Sequence, residues 1–152
     1  MPITALDLLC AAIAAWLAIG AAGLAIANRV RLISQVLFPA GALVGVLIAL
    51  VAFTAIAAPA QTRILPFGLP DLPFHLRVDA LSAFFLFLQG AAAFAVSMFS
   101  AGYFRGADGT PPGAIAFQYH VFLAAMATVV VADDAYLFMV AWEAMALASF
   151  FL

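Results

Sequence analysis

Two residues of this chain combine proton-active chemistry with an apolar setting: Glu143 and His120. Glu143 is the only charged residue of "AYLFMVAWEAMALASFFL", Ala135 to Leu152. A helix entered from the Asp134 side carries it about 13.5 Å inward at ~1.5 Å per residue, close to the middle of a ~30 Å bilayer core. A charge at that depth costs at least ~2.5 kcal/mol and ordinarily faces a helix bundle or a hydrated cavity. A carboxyl group so placed is readily switched between its charged and neutral forms by a neighbouring charge, which is what proton translocation requires. The structural alternative is a protonated glutamic acid hydrogen-bonded to a neighbouring helix. His120, counted from Gly113, lies about 10 Å below the opposite surface, and Glu143 about 16 Å from that same surface. The offset is roughly one helical turn, so a water can bridge the two if their helices pack side by side. Imidazole suits a proton relay; a hydrogen-bonded packing residue is the equally available reading of His120.

The other polar residues suit structural roles. Gln89 and Gln118 can bond water or glue helices together. Asp79, just ahead of "ALSAFF", reads as an N-cap whose carboxylate satisfies free backbone N–H groups. Asp133 and Asp134 suit the positive end of the helix that follows them. Neither a metal nor a cofactor is expected: Cys10 is the single cysteine, with no partner for a disulfide, metal or iron–sulfur site, and no phosphate-binding glycine loop is present. Any redox chemistry must then lie in other chains.

These residues need elements to position them, and the composition says which. Of 152 residues, 69% are hydrophobic and 8% charged, far from the half-apolar, quarter-charged average of soluble domains. The sequence predicts an all-α, polytopic transmembrane bundle of five helices in a single membrane domain, residues 1–152, with the lipid bilayer as partner and no nucleic acid. Charges and prolines punctuate the spans at about residues 4–28, 32–58, 80–104, 114–132 and 135–152. Between the second and third runs stands "PAQTRILPFGLPDLPFHLRVD", with prolines at 59, 66, 70 and 73. It reads as an ordered external cap, with Ile64–Phe67 and Phe74–Val78 as extended pieces able to form a hairpin. Arg29, Arg31 and Arg105 fall in two loops on one side, assigned to the cytoplasm, which leaves the N-terminus outside; Arg63 and Arg77 count against that orientation. The early residues lack a basic leader, so the first helix is expected to stay.

Small residues are expected to hold the bundle together: Ala14, Ala18 and Ala22 in helix one, Gly41 and Gly45 in helix two, Ala144 and Ala148 in helix five. Pro39 removes a backbone hydrogen bond from helix two and predicts a kink there.

The order of three phrases carries a resemblance. "FHLRVDALSAFFLFLQG", "FSAGYFRG" and "FQYHVFLAAMATVVVADDAYLFMVAWEAMALASFFL" resemble the N-terminal part of the antiporter-like membrane subunits shared by complex I, Mrp sodium–proton antiporters and membrane-bound hydrogenases. The phrase around "WEAMALASFFL" looks most like the hydrogenase-4 B subunit and the corresponding formate hydrogenlyase subunit. The resemblance covers Phe74 to Leu152; helices one and two match in position and character. It implies a multi-pass protein of the inner (plasma) membrane, coupling redox reactions of partner membrane and peripheral subunits to proton movement, within an oxidoreductase complex and without a redox site of its own. Glu143 matches the family's fifth-helix glutamate, which pairs with a lysine in a later, broken helix. The Asp79 position matches the characteristic start of helix three, and His120 matches no functional position. The chain contains no lysine and stops before the family's inverted repeats begin, so a truncated hydrogenase-4-like subunit is the expected reading, with a complex I or Mrp antiporter subunit, a non-transporting scaffold or inactive fragment, or an independent small carrier as alternatives.

Overall fold

A computed structural model describes residues 3–104 and 112–152. Arg105 and most of the polar turn expected around it lie outside the described residues. The architecture is the expected all-α polytopic bundle: α1 (Ala5–Ala25), α2 (Val30–Ala55), α3 (Ala80–Tyr103), α4 (Pro112–Val131) and α5 (Ala135–Phe151), with a β-hairpin between α2 and α3. The first four are long and apolar enough to cross a membrane. α5 has 17 residues, about 25 Å of helix, slightly shorter than a ~30 Å core. The chain is a multi-pass membrane protein.

Local chemistry sets the boundaries. α1 starts at a capping box: the Thr4 hydroxyl accepts from the Asp7 amide at 3.2 Å, and the Asp7 carboxylate accepts from the Thr4 amide at 3.1 Å. α3 starts at Asp79, whose carboxylate accepts from the amides of Leu81 and Ser82 at 3.1 and 3.0 Å, while the Ser82 hydroxyl oxygen accepts from the Asp79 amide at 2.8 Å. α5 starts at Asp134, which accepts from the Leu137 amide at 2.7 Å.

Pro39 acts differently from a simple kink. A π-helical turn over Ile33–Leu37 runs directly into it, with the Phe38 amide bonded back to the Ile33 carbonyl. Proline lacks an N–H and its ring crowds the carbonyl four residues earlier, here Gln35; the wider i→i−5 turn makes room without ending the helix.

The proline-rich cap is a hairpin. β1 (Gln61–Leu69) pairs antiparallel with β2 (Leu72–Val78) around a Pro70–Asp71 turn. Its ladder slips between Leu65 and Gly68, where Pro66 has no amide to contribute, and Gly68 takes a φ of 118° that side chains disfavour. The hairpin is tied to both ends of the bundle's loops on its side. The Leu6 amide donates to Gln61 Oε1 at 3.0 Å, and Arg63 pairs with Asp7. The His75 amide donates to Asp134 Oδ2 at 2.7 Å, and the Asp133 amide to the His75 carbonyl at 2.9 Å. The N-terminus, the hairpin and the Asp133–Asp134 turn therefore share one end of the bundle.

α2 packs extensively on α3, α1 on α4 and α2, and α4 on α5, whereas α3 and α4 touch only lightly. The packing stripe of α1 is Leu9, Ala12, Trp16, Gly20 and Gly23; the expected Ala14, Ala18 and Ala22 face outward. Alanines occur on every side of this helix, so their spacing alone could not say which row meets a neighbour. Gly41 and Gly45 are both buried, and they serve different neighbours. A β-carbon on Gly90 would stand 2.6 Å from the Gly45 carbonyl, so α2 and α3 cross there backbone against backbone.

Candidate functional site

The most polar part of the interior lies where α4 meets α1, α2 and α3. Four residues of α4 build it, because Ala116, Tyr119, His120 and Leu123 fall on the side of the helix that is buried at helical spacing. His120 is fully buried. Its Nδ1 lies 2.7 Å from the Ala116 carbonyl, and since a carbonyl only accepts, Nδ1 carries the proton and Nε2 presents a lone pair. That lone pair has no partner among the described residues and points at Gly41. The ring lies near Phe38 and Tyr119, with centroids 6.0 and 5.2 Å away. On the other side of the same α2 turn, the Trp16 indole donates to the Gly41 carbonyl at 3.1 Å. One glycine thus receives a tryptophan from α1 and a histidine from α4.

Tyr119 points the other way, toward α3, where its hydroxyl lies 2.9 Å from Ser97 Oγ and 3.3 Å from the Ala93 carbonyl. One turn further along, the Gln89 amide nitrogen donates to the Leu123 carbonyl at 2.7 Å, and its Oε1 is left without a donor among the described residues. Gln118 is half-buried.

Glu143 stands apart. The face of α5 turned to α4 carries Leu137, Ala141 and Ala148, and Glu143 is on the opposite side, exposed, with no hydrogen bond or ion pair among the described residues. Helices α4 and α5 do pack as neighbours, and Val121, Ala125, Thr128, Ala141 and Ala144 border a cleft along their seam. His120 turns toward α1 and α2, so the structure does not bring His120 and Glu143 together. Their separation was not legible from axial depth, which carries no information about helix rotation.

The acidic caps lie at the end of the bundle that carries the hairpin. Hydrogen bonding from the Ser82 amide is the main cause holding the Asp79 carboxyl below the usual carboxylate range, with the Ser82 hydroxyl, the Leu81 amide and Arg77 adding to it against some desolvation. For Asp134, burial pushes upward, but the amides of Leu137 and His75 and the His75 ring together outweigh it and hold the group low. Among the described residues no cluster of His, Cys, Asp and Glu could hold a metal ion. The sequence reading missed the Tyr119–Ser97 pair and the Gly41–His120 contact. The glycine pair at 41 and 45 was the available signal for the second, since a glycine tolerates approach by a side chain as well as by a backbone.

No protein-family model matches the chain. Over 87 residues, 57% of the chain, it is 37% identical to Hydrogenase-4 component B of Escherichia coli (strain K12). The resemblance to the antiporter-like hydrogenase membrane subunits is borne out over that stretch. The matched stretch makes up 13% of the relative's length, so the chain spans only a small part of that protein.

Proposed function

We propose that this chain forms part of a proton-translocating membrane subunit of a hydrogenase-type complex in the inner membrane, with Glu143 as a proton-coupling carboxylate and the N-terminus outside. The observation that carries the proposal is the setting of Glu143: mid-helix in α5, exposed on the face turned away from α4, and without a partner among the described residues. Ionisable groups inside a membrane almost always face protein or a hydrated cavity and pair with another group. Glu143 therefore calls for a cationic partner on a neighbouring helix beyond those described, and the much greater length of the hydrogenase-4 relative is in keeping with such helices. Redox chemistry belongs to partner subunits; this chain contributes the carboxylate and the bundle that fixes its depth.

His120 plays a lesser part in this reading. A second proton, at Nε2, would create a buried cation beside Gly41 with no anion among the described residues, so a relay through His120 needs Nε2 to reach water or a donor when the helices shift.

The test is Glu143→Gln in the assembled complex, reading redox-driven acidification of inverted membrane vesicles alongside subunit assembly. The proposal expects pumping to fall by at least about tenfold with assembly intact. Pumping at the unsubstituted level would refute the role of Glu143 and leave a scaffold as the better description.

A further inference from the structure

The end of the bundle away from the hairpin carries a charge pattern of its own. α1 begins beside the hairpin, where Asp7 meets Arg63, and runs 21 residues to the turn that joins it to α2, about 31 Å at ~1.5 Å per residue. Arg29 and Arg31 stand at that turn, both exposed, and neither guanidinium has an ion-pair partner among the described residues. The described carboxylates are elsewhere: Asp7, Asp71, Asp79, Asp133 and Asp134 toward the hairpin, and Glu143 midway along α5. The turn folds around a hollow. Asn28 and Arg29 form its polar side, while Leu24 and Ile26 from the end of α1 and Leu32 from the start of α2 form its apolar side. Leu24 and Leu32 are 48% and 41% exposed, so the apolar side stands open. Arg31 adds charge to the turn without lining the hollow.

Charge and position together select the occupant. Both flanking helices are long and apolar enough to cross a membrane, so in a bilayer their joining turn meets the headgroups, with the aliphatic side next to the acyl chains. A planar guanidinium at that level matches a phosphodiester, binding two of its oxygens at once, and the Asn28 amide can add a further donor. The cation favours an anion, and Leu24 and Leu32 favour a hydrocarbon chain. An anionic phospholipid supplies both in one molecule.

We propose that the hollow at the α1–α2 turn binds one anionic phospholipid, its phosphate held by Arg29 with Asn28 and the start of its acyl chains lying against Leu24 and Leu32. The site is independent of the proton-coupling role of Glu143, and it stands whichever leaflet this end of the bundle meets.

The probe is phosphatidylglycerol, titrated into the purified protein in nonionic detergent and counted by native mass spectrometry against phosphatidylcholine with the same acyl chains. One phosphatidylglycerol is expected to bind at least about fivefold more tightly than phosphatidylcholine, the effect of basic residues on a lipid's net charge. Arg29→Gln should weaken phosphatidylglycerol binding by about tenfold or more, because it removes a charge-assisted contact. Arg31→Gln removes the same charge from outside the hollow and should cost about fivefold or less. Glycerol phosphate, a headgroup without chains, should fail to displace the lipid at equal concentration. Equal affinity for the two lipids would overturn the proposal. Equal losses from Arg29→Gln and Arg31→Gln would overturn it in favour of a diffuse basic surface, and displacement by glycerol phosphate in favour of a site for soluble phosphates. Should Arg29→Gln fail to fold, the comparison of the two lipids on the unsubstituted protein still decides.

Discussion

The imidazole of His120 occupies the space that a β-carbon on Gly41 would need. The same glycine accepts the Trp16 indole through its carbonyl at 3.1 Å, so α1, α2 and α4 are keyed together at one residue. Gly41→Ala is expected to destabilise the protein by about 1–3 kcal/mol, the ordinary cost of overpacking a tight interior. His120→Ala should relieve the clash, so the double substitution should show a coupling of about 0.5–3 kcal/mol in unfolding measured in detergent. Additive effects of the two substitutions would mean that the rings and backbone rearrange freely, contrary to this packing.

A second close approach, Gly45 against Gly90, lacks even that flexibility. β-carbons there would stand 2.9 Å from the Gly90 carbonyl and 2.6 Å from the Gly45 carbonyl, and both obstacles are backbone. Gly90→Ala should therefore force α2 and α3 apart. A loss of about 1–3 kcal/mol is expected, read from the denaturant midpoint, together with a lower yield of a short-reach cross-link between cysteines placed on the two helices. Unchanged midpoint and cross-linking would show that the crossing is looser than these distances.

Much of this architecture was legible because membrane helices are announced by length and apolarity rather than by pattern. The five runs, the capping aspartates and the proline-rich cap all follow from punctuation by Asp, Arg and Pro. Helix rotation was not legible. In a soluble helix a polar face marks the outside, but α1 is apolar all round, so Ala14, Ala18 and Ala22 looked as suitable as the stripe of Ala12, Trp16 and Gly20 that packs. Glu143 suffers the same ambiguity: its depth could be counted, its direction could not. The π turn before Pro39 was hidden as well, since a proline signals a disturbed helix without saying whether the backbone bends or widens.

The hairpin's grip on α1 offers a test of relative magnitudes. Arg63 is about half exposed and pairs with Asp7, while Asp7 also closes the capping box with Thr4. Arg63→Ala is expected to cost less than about 1 kcal/mol, as exposed ion pairs do. Asp7→Ala removes the box as well and should cost more, about 1–2 kcal/mol. Thermal unfolding of the two variants in the same detergent gives the comparison; equal losses would place the stabilisation in the ion pair.

Acid sensitivity should come from the caps at the hairpin end of the bundle. Asp79 and Asp134 both titrate below the usual carboxylate range when folded, the first mainly through hydrogen bonding from the Ser82 amide, the second because the amides of Leu137 and His75 overcome an upward push from burial. A folded pKa below the unfolded one means that the stability is fully present above the unfolded value, about 3.9, and drains away as pH falls through the folded value. Stability should therefore be flat across neutral pH with respect to these groups and decline from about pH 4 downward. Asparagine keeps an oxygen that can cap but carries no titrating charge, so Asp79→Asn with Asp134→Asn should flatten that decline while lowering stability at pH 7. Unfolding midpoints measured between about pH 7 and pH 2 in a nonionic detergent test this, and an unchanged acid slope in the double variant would assign the acid sensitivity to other carboxylates.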